Sequence, residues 1–116
     1  QHPFFGTKAG NAFPGANTTI GVIATDADLT PAEAQRLAIM AQDGLARAIR
    51  PIHTPFDGDC LFVLATGKTA LSPNPEQRAL KLALLGELAA NSATRAVGRA
   101  IWNAKPIGEI KTIHQI

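Results

Sequence analysis

Two short runs of the chain are apolar and rich in β-branched residues. The first, TTIGVIATDA, covers residues 18–27, and the second, CLFVLATG, covers residues 60–67. Runs of this kind, with few polar positions to mark a solvent face, are typical of strands buried on both sides. Residues 1–17, ahead of the first run, are rich in glycine and proline and lack periodicity, which predicts an irregular arm.

Two longer stretches carry apolar residues at helical spacing and begin with helix-start signals. The first is predicted to be a helix over residues 31–50, because Thr30 suits the N-cap and Glu33 suits the reciprocal capping-box position. The second is predicted over residues 75–104, with Asn74 as its N-cap. Its inward face is expected to include three leucines spaced one turn apart, Leu80, Leu84 and Leu88, together with further alanine and valine positions. Small residues dominate its second half, which permits close approach to another helix or sheet.

The order strand, helix, strand, helix predicts a βαβα unit of the α/β class. Strands covered on both faces need more layers than two helices supply, so we expect the chain to belong to a larger assembly. The last ten residues, IGEIKTIHQI, alternate apolar and polar positions. This alternation predicts a short edge strand or an arm that lies on a neighbouring surface.

Composition narrows the classes of partner. A chain of 116 residues fits one domain with a real core, and a charged share of only 17% indicates burial against another protein surface. The net charge of +2 comes from scattered residues, so nucleic acid is not expected as a partner. The longest apolar stretch, residues 80–97, is interrupted by Lys81 and Glu87, which argues against a membrane span.

The single cysteine, Cys60, cannot form an internal disulfide, which favours a reducing compartment and hence the cytoplasm. Its place inside CLFVLA is typical of a buried small hydrophobic residue rather than a catalytic thiol. His53 is expected to cap the end of the first helix. Histidines and cysteine show no spacing of the HxxxH or CxxC kind, so neither a metal nor a cofactor is expected.

Thr18 follows Asn17 at the start of the first strand run, within ANTTIG. A threonine hydroxyl is a weak nucleophile until a base takes its proton, and an N-terminal threonine carries such a base in its own α-amine. The reference pKa of that amine, about 7.7–8.0, lies close to working pH. Cleavage between Asn17 and Thr18 would create this amine, and the hydroxyl could perform the cleavage by attacking the Asn17 carbonyl. The alternative is an ordinary threonine that opens a strand.

Asp57 and Asp59 flank Gly58 directly before the second strand run. Two carboxylates on a tight turn can share a proton, orient an ammonium group or bind a cation. The alternative is a solvated turn, since aspartate and glycine are common turn residues. If the two strands are parallel neighbours, their starts lie at one end of the sheet, and both aspartates approach Thr18.

The segment from Gly10 to about Gly67, which contains NTTIGVIATDADLTPAEAQ and PFDGDCLFVLATG, resembles the carboxyl-terminal part of the P1 peptidase family. That family contains the L-aminopeptidase/D-esterase enzymes, and the pair Asn17-Thr18 looks most like that of its nylon-oligomer hydrolases. The resemblance implies a precursor that cuts itself into α and β subunits. Residues 1–17 would then end the α-subunit segment, and residues 18–116 would be the β-subunit portion of one larger hydrolase domain.

The resemblance also implies roles for individual residues. Thr18 would be the nucleophile for self-cleavage after Asn17 and for catalysis, and Asp57 and Asp59 would be the acidic pair beside it. The implied fold is a four-layer αββα sandwich of the N-terminal-nucleophile type. A lysine and an asparagine of the family's active site would lie in the α subunit.

The implied activity is hydrolysis of linear amides in 6-aminohexanoate oligomers, with an aminopeptidase or amidase activity on peptides and amino-acid amides as the alternative. The expected partners are the α subunit of the same precursor and further α/β units in a homo-oligomer. The rival hypothesis from another class is a non-catalytic βαβα assembly module, in which Thr18 stays inside an uncut chain.

Overall fold

The structure is a computed structural model that describes residues 17–116. The predicted arm therefore lies outside the described residues, apart from Asn17. The predicted βαβα order of an α/β fold is confirmed, and a short 3-10 helix follows it. The elements are β1 (Ile20–Ala27), α1 (Pro31–Ala48), β2 (Cys60–Thr69), α2 (Pro75–Asn103) and the 3-10 helix Ile113–Gln115.

The two strands are hydrogen-bonded neighbours and run parallel. Their register pairs Ile20 with Cys60 and continues to Thr25 with Ala65, after which an irregularity shifts the pairing. Because α1 provides the crossover between them, the amino-terminal ends of both strands lie at the same end of the sheet. This placement is the geometric condition for Asp57 and Asp59 to approach Thr18.

Both predicted helix starts are confirmed. The Thr30 hydroxyl accepts a bond from the Glu33 amide at 3.1 Å, and the Glu33 carboxylate accepts one from the Thr30 amide at 2.8 Å. The Asn74 side chain accepts bonds from the first two free amides of α2. Helix α1 ends at Ala48 rather than at residue 50, because Pro51 disfavours a helical conformation in the residue before it.

Small residues set the distance between the two helices. The core combines Leu37, Ala41 and Leu45 of α1 with Leu61 of β2 and two alanines of α2, Ala89 and Ala93. At the crossing point Gly44 packs directly on the backbone of Ala90. The hydroxyl of Thr94 donates a 2.8 Å bond to the carbonyl of Gly44, which ties the helices together at this point.

The predicted inward face of α2 is right for its alanines and wrong for its leucines. Leu80, Leu84 and Leu88 are 63%, 53% and 62% exposed, and the buried positions are instead Gly86, Ala89, Ala90 and Ala93. Both stripes recur at helical spacing, so periodicity alone cannot choose between them. The stripe of small residues faces α1 because the close approach of the two helices leaves no room for leucine side chains.

The sheet is covered on one face only within residues 17–116. Leu61 lies on the covered face, whereas Ile20, Val22, Phe62 and Leu64 point the other way and are 56% to 70% exposed. The prediction that both faces are buried therefore fails for this part of the molecule. Two layers of structure can cover only one face of a sheet, and the expectation of further layers stays a prediction.

The tail does not form an edge strand, the first of its two predicted forms, and the second, an arm on a neighbouring surface, stays a prediction. Ile107 and Ile110 pair in a tight turn, and the chain then folds back on the end of α2. The imidazole of His114 bonds to the Trp102 carbonyl at 2.6 Å and packs edge-on against the Trp102 ring, with 4.4 Å between ring centres. No helix within residues 17–116 is long and apolar enough to cross a bilayer.

An ion pair that the sequence analysis missed joins the starts of the two helices. Arg78 of α2 contacts both oxygens of Glu33 at 2.7 Å and also donates to the carbonyls of Asp28 and Ser72. The Arg78 guanidinium is the main cause that lowers the pKa of Glu33 to about 2. Since this folded-state pKa is depressed, the stabilisation is present above the ordinary pKa of glutamate and is lost as the pH falls towards 2.

We predict that Gly44→Ala destabilises the protein by about 1–3 kcal/mol, because an added Cβ would collide with the Ala90 carbonyl and force the helices apart. The matched control is Gly98→Ala on α2, where an added Cβ meets no atom within 4 Å of the described structure. This control should be neutral or should stabilise the helix by up to about 1 kcal/mol. Denaturant unfolding of the full-length protein measures both changes, and equal effects would contradict the close helix contact.

Candidate active site

The site begins where the chain enters the sheet, three residues ahead of β1. Asn17 forms a parallel bridge with Asp57, at the same 40-residue offset that pairs Ile20 with Cys60. The Asn17 amide donates to the Phe56 carbonyl at 3.3 Å, and the Gly58 amide donates to the Asn17 carbonyl at 2.7 Å. The peptide bond between Asn17 and Thr18 is therefore held in an extended conformation beside the aspartate turn.

Thr18 lies between the two points at which this segment is tied down. On one side is the Asn17 bridge, and on the other the Thr19 carbonyl accepts a 2.9 Å bond from the Cys60 amide. Thr18 itself is exposed within the described structure. A residue whose backbone is held on both sides and whose side chain is accessible meets the first geometric requirement for a nucleophile.

The side chain of Asp59 is buried, with only 4% of it exposed. Its Oδ1 accepts a 2.9 Å bond from the amide of Thr19, the residue that follows Thr18. Its Oδ2 accepts two bonds from His53, one from the backbone amide at 3.2 Å and one from ring Nδ1 at 2.9 Å. Both carboxylate oxygens of Asp59 are therefore engaged in holding the surrounding backbone.

Asp57 is held by Thr54 on the same turn. Its Oδ2 accepts bonds from the Thr54 hydroxyl at 2.7 Å and from the Thr54 amide at 2.8 Å. These two bonds, the hydroxyl first, lower the pKa of Asp57, and the nearby His53 adds a smaller effect in the same direction. Asp57 therefore remains a carboxylate through the neutral and mildly acidic range.

The structure thus brings all four predicted site residues to one end of the sheet. The hydrogen bonds of the two aspartates within residues 17–116 go to Thr54, His53 and Thr19 rather than to the Thr18 hydroxyl. In the continuous chain the nitrogen of Thr18 is an amide, so the ammonium group that the aspartates are predicted to orient is not yet formed. The assigned roles of Asn17, Thr18, Asp57 and Asp59 remain predictions.

Two sequence-based interpretations at this site are corrected. His53 does not cap α1; it adopts a left-handed backbone conformation with φ 58° and turns its ring towards Asp59. Cys60 is exposed rather than buried, because it lies on the uncovered face of the sheet. The contact between His53 and Asp59 could not be predicted from their spacing of six residues, since only the turn through Pro55 and Asp57 brings the two side chains together.

An apolar cavity of about 570 Å³ adjoins the site and begins at Thr19. It lies between β1, the end of α1 and the second half of α2, and its polar lining residues are Thr19 and Ser92. Such a cavity suits an uncharged chain of methylene or apolar groups better than an ionic ligand. Within the part of the chain that the structure describes, no cluster of three His, Cys, Asp or Glu residues could hold a metal ion.

Comparison with known proteins decides the family. The model of peptidase family S58 matches residues 3–114, which is nearly the whole chain. The chain belongs to peptidase family S58. This membership agrees with the resemblance to a peptidase family that the Asn17-Thr18 and Asp57-Gly58-Asp59 segments carry.

The chain is also similar to several curated proteins of this kind. An uncharacterized aminopeptidase of Mycobacterium bovis is 49% identical over 104 residues, which cover 83% of this chain and 30% of that protein. An uncharacterized aminopeptidase of Mycobacterium leprae is 48% identical over 102 residues, covering 83% of this chain and 28% of the relative. The chain therefore spans less than a third of the length of these relatives.

The predicted closeness to the nylon-oligomer hydrolases holds only in part. A 6-aminohexanoate-oligomer endohydrolase of Kocuria sp. is 37% identical over 59 residues, which cover 51% of this chain and 17% of that enzyme. The mycobacterial aminopeptidases match more of the chain at higher identity. The family is thus assigned by the match over nearly the whole chain, and the similarity to aminopeptidases is more extensive than that to the endohydrolase.

We predict that Thr54→Val raises the pKa of Asp57 towards its ordinary value, because the variant loses the shorter of the two bonds to the carboxylate. The depressed pKa stabilises the fold above the ordinary pKa of aspartate, and this contribution is lost as the pH falls through the folded-state value. The variant should therefore show a weaker loss of stability in acid. NMR titration of the Asp57 carboxyl carbon measures the change, with Thr54→Ser as the control that keeps the hydroxyl. An unchanged titration in Thr54→Val would contradict the assignment.

Proposed function

We propose that this chain supplies the nucleophile of a self-processing hydrolase that cleaves linear amide bonds. The observation that carries the proposal is the extended ladder that holds the Asn17–Thr18 peptide against the turn Asp57-Gly58-Asp59. Membership of a peptidase family and the hydrolase names of the similar proteins support the reaction class. The roles below follow from the chemistry of the residues at this ladder.

Self-cleavage is the first proposed reaction. The Thr18 hydroxyl attacks the Asn17 carbonyl carbon, a carbon–oxygen bond forms, and the carbon–nitrogen bond to Thr18 breaks as that nitrogen takes up the proton. The Gly58 amide, 2.7 Å from the Asn17 carbonyl oxygen, is placed to donate to that oxygen as negative charge develops on it. Water then hydrolyses the ester, which leaves a carboxylate on Asn17 and a free α-amine on Thr18.

Turnover uses the new amine as a base. The α-amine of Thr18 takes the proton from its own hydroxyl, the oxygen attacks the substrate amide carbon, and the proton passes to the departing amine. Water hydrolyses the resulting threonyl ester and releases the acid product. Since Asp59 commits both oxygens to Thr19 and His53 while the described bonds of Asp57 end on Oδ2, Asp57 is the better placed of the two to orient the amine.

The substrate class follows from the surroundings of Thr18. The apolar cavity that begins at Thr19 suits an uncharged amide backbone with hydrocarbon segments. Two related classes satisfy this description: short peptides or amino-acid amides, and oligomers of 6-aminohexanoate. The names of the mycobacterial relatives favour the first class, and the shorter match to the endohydrolase keeps the second as a specific alternative.

The active protein is proposed to be an α/β unit within a homo-oligomer, with the α subunit supplied by the same precursor. The uncovered apolar face of the sheet supports this assembly, because Ile20, Val22, Phe62 and Leu64 would otherwise stay in water. A further sheet and helix layer on that face would give the four-layer αββα sandwich. The competing non-catalytic module would keep the Asn17–Thr18 bond uncut.

We predict that the full-length protein yields a fragment that starts at Thr18, whereas Thr18→Ala yields only the uncut precursor without hydrolase activity. The reason is that alanine lacks the hydroxyl that both reactions need. Denaturing mass spectrometry of the purified protein measures the fragment. Thr18→Ser is the matched control and should still cleave itself, since serine keeps the hydroxyl. A wild-type protein that hydrolyses amides while remaining uncut would overturn the mechanism.

We also predict that cleaved protein hydrolyses amino-acid p-nitroanilides or dipeptides with a higher kcat/KM than 6-aminohexanoate oligomers. We expect this order of kcat/KM because the proteins named aminopeptidases match a longer part of the chain at higher identity than the endohydrolase does. The measurement compares the two substrate series on one preparation, with Thr18→Ala as the blank. The reverse order of kcat/KM would assign the protein to oligoamide hydrolysis instead.

A further inference from the structure

We propose that His53 is a positioning residue for the nucleophile and acts through Asp59. This inference rests on the proposed function of Thr18. His53 lies in the loop between α1 and β2, six residues ahead of Asp59, and its ring Nδ1 is 2.9 Å from the Asp59 carboxylate. It does not touch the Thr18 hydroxyl in the described contacts, so its influence must pass through the aspartate.

The buried carboxylate of Asp59 connects His53 to the nucleophile. Oδ2 receives the two bonds from His53, and Oδ1 receives the bond from the Thr19 amide. A carboxylate with 4% exposure has little water to satisfy it, so its orientation depends on these three donors. Loss of the ring donor would free the carboxylate to rotate and would weaken its hold on Thr19.

The Thr19 amide is part of the peptide unit that joins Thr18 to Thr19. Fixing this amide fixes the plane of that peptide and with it the Cα of Thr18, which carries both the hydroxyl and the future amine. Before cleavage, the two bonds of Asn17 also hold Thr18 in place. After cleavage those bonds no longer act on Thr18, and its remaining described anchors are the bonds of Thr19 to Asp59 and Cys60.

The backbone of His53 supports the same role. A φ of 58° is uncommon for a residue other than glycine, although histidine, like asparagine and aspartate, adopts it more often than most. Here the left-handed conformation directs the backbone amide and ring Nδ1 to the same oxygen of Asp59. Because a carboxylate can only accept, Nδ1 carries the proton in this contact. The ring is 38% exposed, so changing it leaves no closed cavity in the core.

Three substitutions separate the ring from the backbone. His53→Asn keeps a side-chain N–H donor at the position of Nδ1 and tolerates the left-handed backbone. His53→Gly keeps the backbone conformation and loses the ring donor. His53→Gln keeps an amide of similar size, but its extra methylene carries the donor past Oδ2.

The experiment measures kcat and KM of the full-length protein, normalised to the amount of cleaved chain, together with the hydrogen-exchange rate of the Thr19 amide. His53→Gly and His53→Gln should lower kcat on the order of tenfold to a hundredfold with little change in KM, because the nucleophile is misplaced while the cleft is intact. Exchange at Thr19 should become faster in both variants. His53→Asn should restore kcat and protection at Thr19.

Equal kcat values for the asparagine and glycine variants would overturn the role of the ring, and unchanged exchange at Thr19 in the glycine variant would overturn the path through Asp59. If the glycine variant does not fold, the comparison of glutamine with asparagine decides the question. The Thr18→Ala variant distinguishes failure of this inference from failure of the proposed function. Activity that survives Thr18→Ala would refute the proposed function, whereas an inactive Thr18→Ala beside fully active His53 variants would refute only the positioning role.

Discussion

The parallel pairing of β1 with β2 is the constraint on which the site depends. A constant offset of 40 residues carries the pairing back from Ile20 and Cys60 to Asn17 and Asp57, beyond the ends of the strands proper. Backbone bonds of this kind are insensitive to side-chain identity, so they can hold a peptide bond in place while leaving the threonine side chain accessible. The aspartate turn is thereby brought to Thr18 by the ladder itself rather than by direct contacts between their side chains.

The ladder in turn depends on the helices that cover one face of the sheet. Gly44 and the alanines of α2 let the helices approach closely, and Leu61 of β2 packs into the core that this contact creates. The same choice of small residues for the inner contact turns the leucines of α2 outward. The other face of the sheet is bare within residues 17–116 because both helices lie on the side of Leu61. Within residues 17–116 the apolar side chains of that bare face are in water, and the α subunit and further α/β units that would cover it remain part of the proposed function.

Local signals in the sequence were enough to predict the strands and helices. They were not enough to predict which face of a helix is buried or which contacts the loops make. The caps at Thr30 and Asn74 and the apolar strand runs predict the βαβα order, because they act over a few residues. The leucines of α2 were wrongly expected to join its alanines in the core, since two apolar stripes compete and only the distance to α1 selects one. His53 was missed for a similar reason, because its contact with Asp59 exists only after the turn through Pro55 has formed.

Cleavage between Asn17 and Thr18 would change the charges beside the turn Asp57-Gly58-Asp59. The change would favour departure of Asn17 from the position next to Thr18. The reaction proposed for Asn17 and Thr18 would convert a neutral peptide bond into an amine and a carboxylate. Both new groups would lie beside Asp57, which pairs with Asn17 and whose lowered pKa keeps it negative. The new carboxylate on Asn17 is then repelled by Asp57, while a protonated amine on Thr18 is attracted to it. Under the proposed reaction, Asn17 would be driven out of the ladder, and Thr18 would be held more firmly in it. Departure of the Asn17 acyl group would leave a space next to the Gly58 amide. The acyl group of a substrate would occupy this space when it is bound to the hydroxyl oxygen of Thr18.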